Sequence, residues 1–301
     1  MLRRSLLYLS ESRVLRQWME QSRISQKFTS RFVAGRTLDD GLRVLRKLSA
    51  EGLLATLDFL GENVTSLREA EISRDTYLNA LRQVQPFAAT VSLKLTQFGL
   101  NLSDDACLSS LRDLMLCARL VQSRVEIDME SSEYVDRTLR IVEQLHAEFD
   151  GRVRAVIQAY LYRSEDDIAR LSSQRIPVRL CKGAYHEPPL VAYPNKVEVD
   201  ENYVKLMRQL LQKGAYPAIA SHDESIIRGA LAYVREQKIG PDRLEFQMLY
   251  GIRRDLQREL VAKGYRVRLY VPYGDAWFPY FMRRLAERPA NLIFLAKNLT
   301  R

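Results

Sequence analysis

The stretch TVSLKLTQFGLNLSDDACLSSLRDLMLCARLVQSRVEIDM, residues 90–129, decides the fold. TVSLKLT (90–96) is short and rich in β-formers, and RVEIDM (124–129) is its counterpart. Between them DDACLSSLRDLMLCARLV (104–121) switches to the longer polar–apolar period of a helix. Strand, helix and strand in this order read as one step of an alternating βα chain.

The alternation extends both ways. LLATLDFL (53–60) comes before it. VRAVIQAYL (153–161), IPVRLCKG (176–183), YPAIASH (216–222), RLEFQML (243–249) and VRLYVPY (267–273) follow as strands. SEYVDRTLRIVEQLHAEF, DENYVKLMRQLLQKG and DLQRELVAKG are helices between them, and Gly214 and Gly264 stand where a C′ glycine closes a helix. Strands alternating with helices over about 250 residues predict an α/β fold, a (βα)8 TIM-type barrel, with an open doubly wound sheet as the alternative. The chain up to residue 48 reads as helices, with Thr37 an N-cap for LDDGLRVLRKLSAEG. Residues 1–48 are therefore expected to form an N-terminal helical extension and residues 49–301 the catalytic barrel.

A content of 47% hydrophobic residues in 301 can build a sizeable core. No apolar run approaches the roughly 18 residues of a membrane span. Of the +9 formal charge, much sits in residues 1–36. Arg3, Arg4, Arg13, Arg16, Arg23, Lys27, Arg31 and Arg36 there face only Glu11 and Glu20. Such a segment suits nucleic acid, an acidic membrane surface, an anionic ligand, or a basic amphipathic helix packed on its own domain. Three cysteines form no paired framework, which fits a reduced intracellular compartment. Three histidines have no ligand spacing, so no metal centre is expected.

In such barrels the functional groups stand at the carboxyl ends of the strands. Those ends offer Lys94 and Gln97, Asp128 and Glu130, Gln158 and Tyr160, Arg179 and Lys182. They continue with Ser221, His222 and Asp223, Gln247 and Tyr250, and Tyr270 and Tyr273. A barrel interior is packed with branched apolar side chains, so a charge inside it must be paired or used. Three classes stay open on these residues. Lys94 or Lys182 could form a Schiff base, as in a barrel lyase or aldolase. The cations could instead hold a carboxylate or phosphate while a cofactor does the chemistry. The basic surface could also serve a non-enzymatic binding module, although no aromatic–basic RNA motif supports nucleic acid. Neither GxGxxG nor a P-loop is present, so a dinucleotide must be held another way.

Past the last strand, YFMRRLAERP (280–289) puts Tyr280, Arg283, Arg284 and Glu287 on one helical face, with Phe278, Phe281, Met282 and Leu285 opposite. Spacing alone favours a solvated face, because most polar helix faces are only solvated.

An ordered set of segments resembles the proline dehydrogenase family. It runs DFLGEN, SLKLTQFGL, EIDMES, IQAYLYRS, VRLCKGAY, VEVDENY, ASHD, EFQMLYGI, RLYVPYG and YFMRRLAERP, with RFVAG near residue 31 ahead of it. Any one piece is weak, but the order makes the set specific across residues 53–289. The resemblance implies a distorted (βα)8 barrel with FAD bound non-covalently at its carboxyl face and the last barrel helix lying over the mouth. It implies oxidation of L-proline to Δ1-pyrroline-5-carboxylate by hydride transfer from proline C5 to flavin N5, with electrons passed to a quinone. Carried over by position, Arg283, Arg284 and Lys94 bind the proline carboxylate, Asp128 is the active-site acid, and Tyr270 and Leu249 line the ring. Glu287 holds a cation in place, and Glu62 gates the site by pairing with a helix arginine. Arg179 lies beside flavin N5. Met129, Gln158, Lys182, Gly183, Ala184, Ser221 and His222 complete the flavin site; serine replaces the threonine of many relatives, and Cys181 replaces a valine. A cytoplasmic enzyme is expected, with the basic N-terminus able to bring it to the anionic inner face of the membrane, and with a product that leaves for a pyrroline-5-carboxylate dehydrogenase or hydrolyses.

Overall fold

The structure is a computed structural model that describes residues 29–287, with the backbone alone for 283–287. The basic segment of residues 1–28 lies outside the described residues. Eight parallel strands close into a barrel in sequence order. They are β1 (Leu54–Phe59), β2 (Thr90–Leu93), β3 (Val125–Ile127), β4 (Val153–Gln158), β5 (Val178–Cys181), β6 (Ala218–Ala220), β7 (Glu245–Leu249) and β8 (Arg266–Tyr273). The barrel prediction holds, and the open-sheet alternative falls because β8 pairs with β1, Leu54 opposite Arg268 through Phe59 opposite Tyr273.

Helices α1 (Leu38–Ala50), α2 (Leu67–Val84), α3 (Asp104–Leu120), α4 (Val135–Glu148), α5 (Ser164–Ser173), α6 (Lys196–Lys213), α7 (Glu224–Glu236), α8 (Arg254–Ala262) and α9 (Trp277–Glu287) complete the described chain. Their starts follow local chemistry. Thr37 caps α1 in a reciprocal box with Asp40, Ser66 caps α2 and Ser103 caps α3. Gly264 closes α8 with φ +82°, in the left-handed region. Gly214 does not behave as expected: it is extended at φ −74°, ψ 151°, and Tyr216 takes the positive φ of that connection at 59°.

Two helices set the geometry of the site. Helix α1 puts Val44, Leu45 and Leu48 into the main core and lies against β1 and β8. It therefore fills the outer slot that a helix following β8 would take. Helix α9 goes elsewhere. Its Trp277, Phe278, Tyr280, Phe281 and Met282 form a separate apolar cluster with Phe32, Val33, Leu60 and Ile252. Leu60 follows β1 and Ile252 follows β7, so α9 sits across the carboxyl end of the barrel. The same cluster fixes the RFVAG segment. Arg31 runs so close to Gly251 that a Cβ there would lie 1.6 Å from the Arg31 carbonyl oxygen. Only glycine fits, and its φ of +81° suits glycine as well.

Candidate active site

Side chains alternate along a strand, so every second residue of β1–β8 points into the barrel. Here those positions are largely polar: Thr56 and Asp58, Thr90 and Ser92, Glu126, Arg154 and Gln158, Arg179, Glu245 and Gln247, and Arg268 are all buried. This corrects the expectation of a branched apolar interior. The apolar core instead lies between the barrel wall and the outer helices.

The inward charges form two layers. Near the amino end, Glu126 accepts from Thr90 Oγ1 at 2.8 Å, Arg154 Nη1 at 3.3 Å, Arg179 Nη2 at 2.5 Å and Gln247 Nε2 at 3.1 Å. Glu245 accepts from Arg154, from Arg268 Nε at 3.0 Å, from Gln247 at 2.7 Å and from Tyr216 Oη at 3.2 Å. Burial works against both carboxylates. The surrounding guanidinium groups outweigh it and hold both below the usual carboxylate range, Glu126 well below.

The upper layer opens toward α9. Asp128, just past β3, accepts from Ser92 Oγ at 2.8 Å, Arg179 Nη1 at 2.6 Å and Tyr270 Oη at 2.7 Å. Burial opposes the charge of Arg179, but Glu126 and Asp128 hold its pKa above the ordinary value. Its Nε is buried with no hydrogen-bond partner, and its guanidinium carbon lies 5.4 Å from the Tyr270 ring centroid. Burial, then Asp128 and Asp58, push the Tyr270 phenol well up, so it stays a donor. Lys94 directly follows β2, and its Nζ stands 3.9 Å from Asp58 Oδ1. Burial pulls the ammonium down, but Asp58, Asp128, Glu62 and Glu130 outweigh it and keep Lys94 above the ordinary lysine value.

Around this centre the remaining rim residues are placed as follows. Gln158 Nε2 donates to the Glu130 carbonyl at 2.9 Å, leaving one of its two amide hydrogens. Met129 is buried. Lys182 bridges Asp200 at 2.5 Å and Asp223 at 3.0 Å, tying the loop after β5 to α6 and α7. Gly183, with φ +116°, is pressed against Tyr160, where a Cβ would approach the ring to 2.3 Å. Ala184 is exposed beside it. Ser221 Oγ accepts from the Asp223 amide at 3.1 Å, and His222 Nε2 accepts from the Leu249 amide at 2.8 Å. That bond puts a neutral ring hydrogen of His222 on Nδ1. Leu249 packs on the α9 cluster. The Cys181 thiol is pushed up to about 12 by burial, as suits an inert small hydrophobe.

Lys94, Asp128, Arg179 and Tyr270 thus converge, with Glu62 near enough to act on Lys94. Tyr273 does not join them. It is three residues, an odd step, from Tyr270 and faces outward, stacked near Phe59 and under Gly41 of α1. The side chains of Arg283, Arg284 and Glu287 lie outside the described residues, though Tyr280 on the same helical face is only 6% exposed. Sequence reasoning missed Asp58, Glu126, Arg154, Glu245 and Arg268. Among the described residues no three His, Cys, Asp or Glu side chains are placed to hold a metal ion, and no helix is long and apolar enough to cross a membrane.

A flavin needs a flat slot between apolar and polar walls, with cationic donors at one edge. Arg179, whose buried Nε has no hydrogen-bond partner, and Gln158, whose amide keeps a hydrogen to donate, fit the polar edge of such a group.

A family model described as "Proline dehydrogenase" matches residues 42–297. "Proline dehydrogenase 1" of Bacillus subtilis (strain 168) is 40% identical over 303 residues, covering 99% of both chains. The "Proline dehydrogenase" of Deinococcus radiodurans is 38% identical over 306 residues, covering 99% of this chain and 97% of the relative. Among solved structures, proline utilization A (PutA) from Bdellovibrio bacteriovorus, inactivated by N-propargylglycine, superposes with a TM-score of 0.80 at 28% identity. That match covers 87% of this chain and 32% of the PutA chain.

Proposed function

The chain belongs to the proline dehydrogenase family, and from that premise we propose that it oxidises L-proline to Δ1-pyrroline-5-carboxylate with FAD held non-covalently at the barrel mouth. When bound, the FAD supplies the hydride acceptor, N5 receiving the hydride of proline C5. The protein binds, orients and shields. The observation that carries this reading is Asp128, gripped at once by Arg179 and Tyr270 beneath α9.

Asp128 and Arg179 are the catalytic pair. Asp128 receives the substrate amine in its neutral form, the ammonium proton having gone to solvent water, so that the nitrogen lone pair can assist hydride departure. Arg179 offers positive charge where negative charge develops, the most effective place for fixed electrostatics. Tyr270 packs on the ring and, through its bond to Asp128, fixes the acid's rotamer; Leu249 completes the wall. The interior charges described above balance, Asp58, Glu126, Asp128 and Glu245 against Lys94, Arg154, Arg179 and Arg268. A substrate carboxylate therefore calls for further cations, and the resemblance assigns Arg283 and Arg284 to that role with Lys94, guanidinium being the planar donor that suits a carboxylate. Glu287 steadies that set, and Glu62 closes it by pairing with a helix arginine. Met129, Gln158, Lys182, Gly183, Ala184, Ser221 and His222 hold the flavin.

The same reading extends to a quinone acceptor and to a cytoplasmic enzyme whose basic residues 1–28 touch the inner face of the membrane. It extends to a pyrroline-5-carboxylate dehydrogenase that takes the product, and it includes no nucleic acid. Residues 1–48 form the extension and 49–301 the catalytic domain. Schiff-base chemistry at Lys94 or Lys182 is disfavoured, because both ammonium groups are held beside carboxylates. Proline deuterated at C5 should reduce the flavin with a primary isotope effect; equal rates for the two substrates, with reduction itself rate-limiting, would count against hydride departure from C5.

A further inference from the structure

Asp58 differs from every other acid in the barrel interior. It is 1% exposed, it sits near the end of β1, and neither carboxylate oxygen has a hydrogen-bond partner. Glu126 and Glu245 in the same interior have donors on both oxygens. A buried carboxylate without donors keeps its charge only beside a cation. The cation here is Lys94, and 3.9 Å is close enough for strong attraction but too long for a hydrogen bond. The register explains the encounter. Asp58 pairs with Ser92 across β1 and β2, so Lys94, two residues further on, points inward from the same face.

We propose that Asp58 is a positioning residue for Lys94, keeping its ammonium ion charged within the mouth while competing with an incoming carboxylate for it. The inference rests on the proline-carboxylate reading above and adds to it a residue outside the substrate contacts. The other groups facing the pair are Asp128 and Glu130 from the end of β3 and Glu62 from the loop after β1, all acting on Lys94. Tyr270 of β8, with Asp128 and Glu62, acts on Asp58. Burial lifts the Asp58 carboxyl above the ordinary aspartate range, and Lys94 draws it part of the way back. Acid and base thus depend on each other. Without Asp58 the ammonium keeps its burial cost and loses the first of the attractions that offset it. Lys94 then gives up its proton at lower pH, and anion binding is lost as pH rises through that point.

The test uses the flavin-loaded enzyme and cyclopentanecarboxylate, a ring carboxylate with no amine to oxidise. Its dissociation constant is read from the flavin absorption change between about pH 6 and about pH 11.5, a range carried past the ordinary lysine pKa of about 10.4 because Lys94 is held above it. Wild type, Asp58→Asn, Lys94→Met and the double variant are compared. Asp58→Asn should move the alkaline loss of binding down by about one pH unit, which is about tenfold weaker binding on that limb. Below the limb it should bind at least as tightly as wild type, since the competitor is gone. With Lys94→Met already in place, Asp58→Asn should shift nothing. A limb that stays where wild type has it, or an equal loss at every pH in both backgrounds, would overturn the proposal. Wild-type enzyme that binds no carboxylate at any pH gives a different result, which brings down the substrate reading itself and this inference with it. Should Asp58→Asn fail to fold, wild-type NMR of ε-13C-lysine decides, with the Lys94 signal identified by its loss in Lys94→Met. Titration above the ordinary value of about 10.4 supports the proposal, and titration at or below it refutes it.

Discussion

Glu126 and Asp58 are both acids buried in the wall of one barrel, and they keep opposite company. Glu126 is ringed by Thr90, Arg154, Arg179 and Gln247. The floor beneath it is closed by Tyr216, whose ring faces Arg124, Arg154 and Arg266 at 5.7, 5.5 and 5.6 Å. Asp58, one layer higher, has no partner within hydrogen-bond distance, with Lys94 just beyond it and the Tyr270 hydroxyl acting from further off. In the lower layer both carboxylates are met on both oxygens, and only Arg154 keeps a buried Nε and Nη2 without hydrogen-bond partners. In the upper layer a carboxylate, a guanidinium Nε and a lysine are incompletely met, directly under the helix that crosses the mouth. Incomplete satisfaction inside a folded protein has a cost, and it is tolerated where a ligand completes it. Arg179 belongs to both layers, with one nitrogen on Glu126 and another on Asp128.

The sharpest way to break this contrast is to remove a cation from the lower layer. Arg154→Met leaves Glu126 and Glu245 facing each other with less positive charge between them. A loss of about 3–5 kcal/mol of stability is expected, read from the denaturant midpoint. A variant as stable as wild type would show that the lower layer does not hold the barrel together. Arg179→Met tests the shared residue. Glu126 retains Arg154 and Gln247, so the fold should survive, while the rate of flavin reduction by proline drops about 10²-fold and the flavin midpoint potential falls. An unchanged potential would remove Arg179 from the flavin's surroundings. Tyr270→Phe is the mildest of the three. It deletes one hydrogen bond to Asp128 and keeps the ring, so kcat/KM for proline should drop about tenfold with little change in stability. Wild-type kcat/KM in Tyr270→Phe would mean that the Asp128 rotamer is fixed without it.

The period of two made much of this legible. Lys94, Asp128 and Arg179 stand between apolar neighbours at strand ends, Tyr270 stands at the end of β8, and the four meet in space. The same rule points to Glu126 between Val125 and Ile127, Arg154 between Val153 and Ala155, Glu245 between Leu244 and Phe246, and Arg268 between Val267 and Leu269. A search confined to the carboxyl ends does not reach them, because the strands carry charge from their first residues. Asp58 sits between Leu57 and Phe59 in the same way, but its unmet state depends on a separation between two strands that no pattern encodes. Tyr273 is near a strand end but an odd step from Tyr270, so the alternation turns it outward. The place of α9 is invisible to periodicity. A helix across the mouth and a helix on the outside show the same apolar stripe, and here the burial of Tyr280 and the contacts with Leu60 and Ile252 tell them apart.

The proposed oxidation requires a bound flavin that proline reduces. Purified protein, loaded with FAD and kept free of oxygen, should show oxidised-flavin absorption that bleaches on adding L-proline. Protein that takes up no FAD, or whose bound flavin keeps its full absorption in excess L-proline, would contradict it.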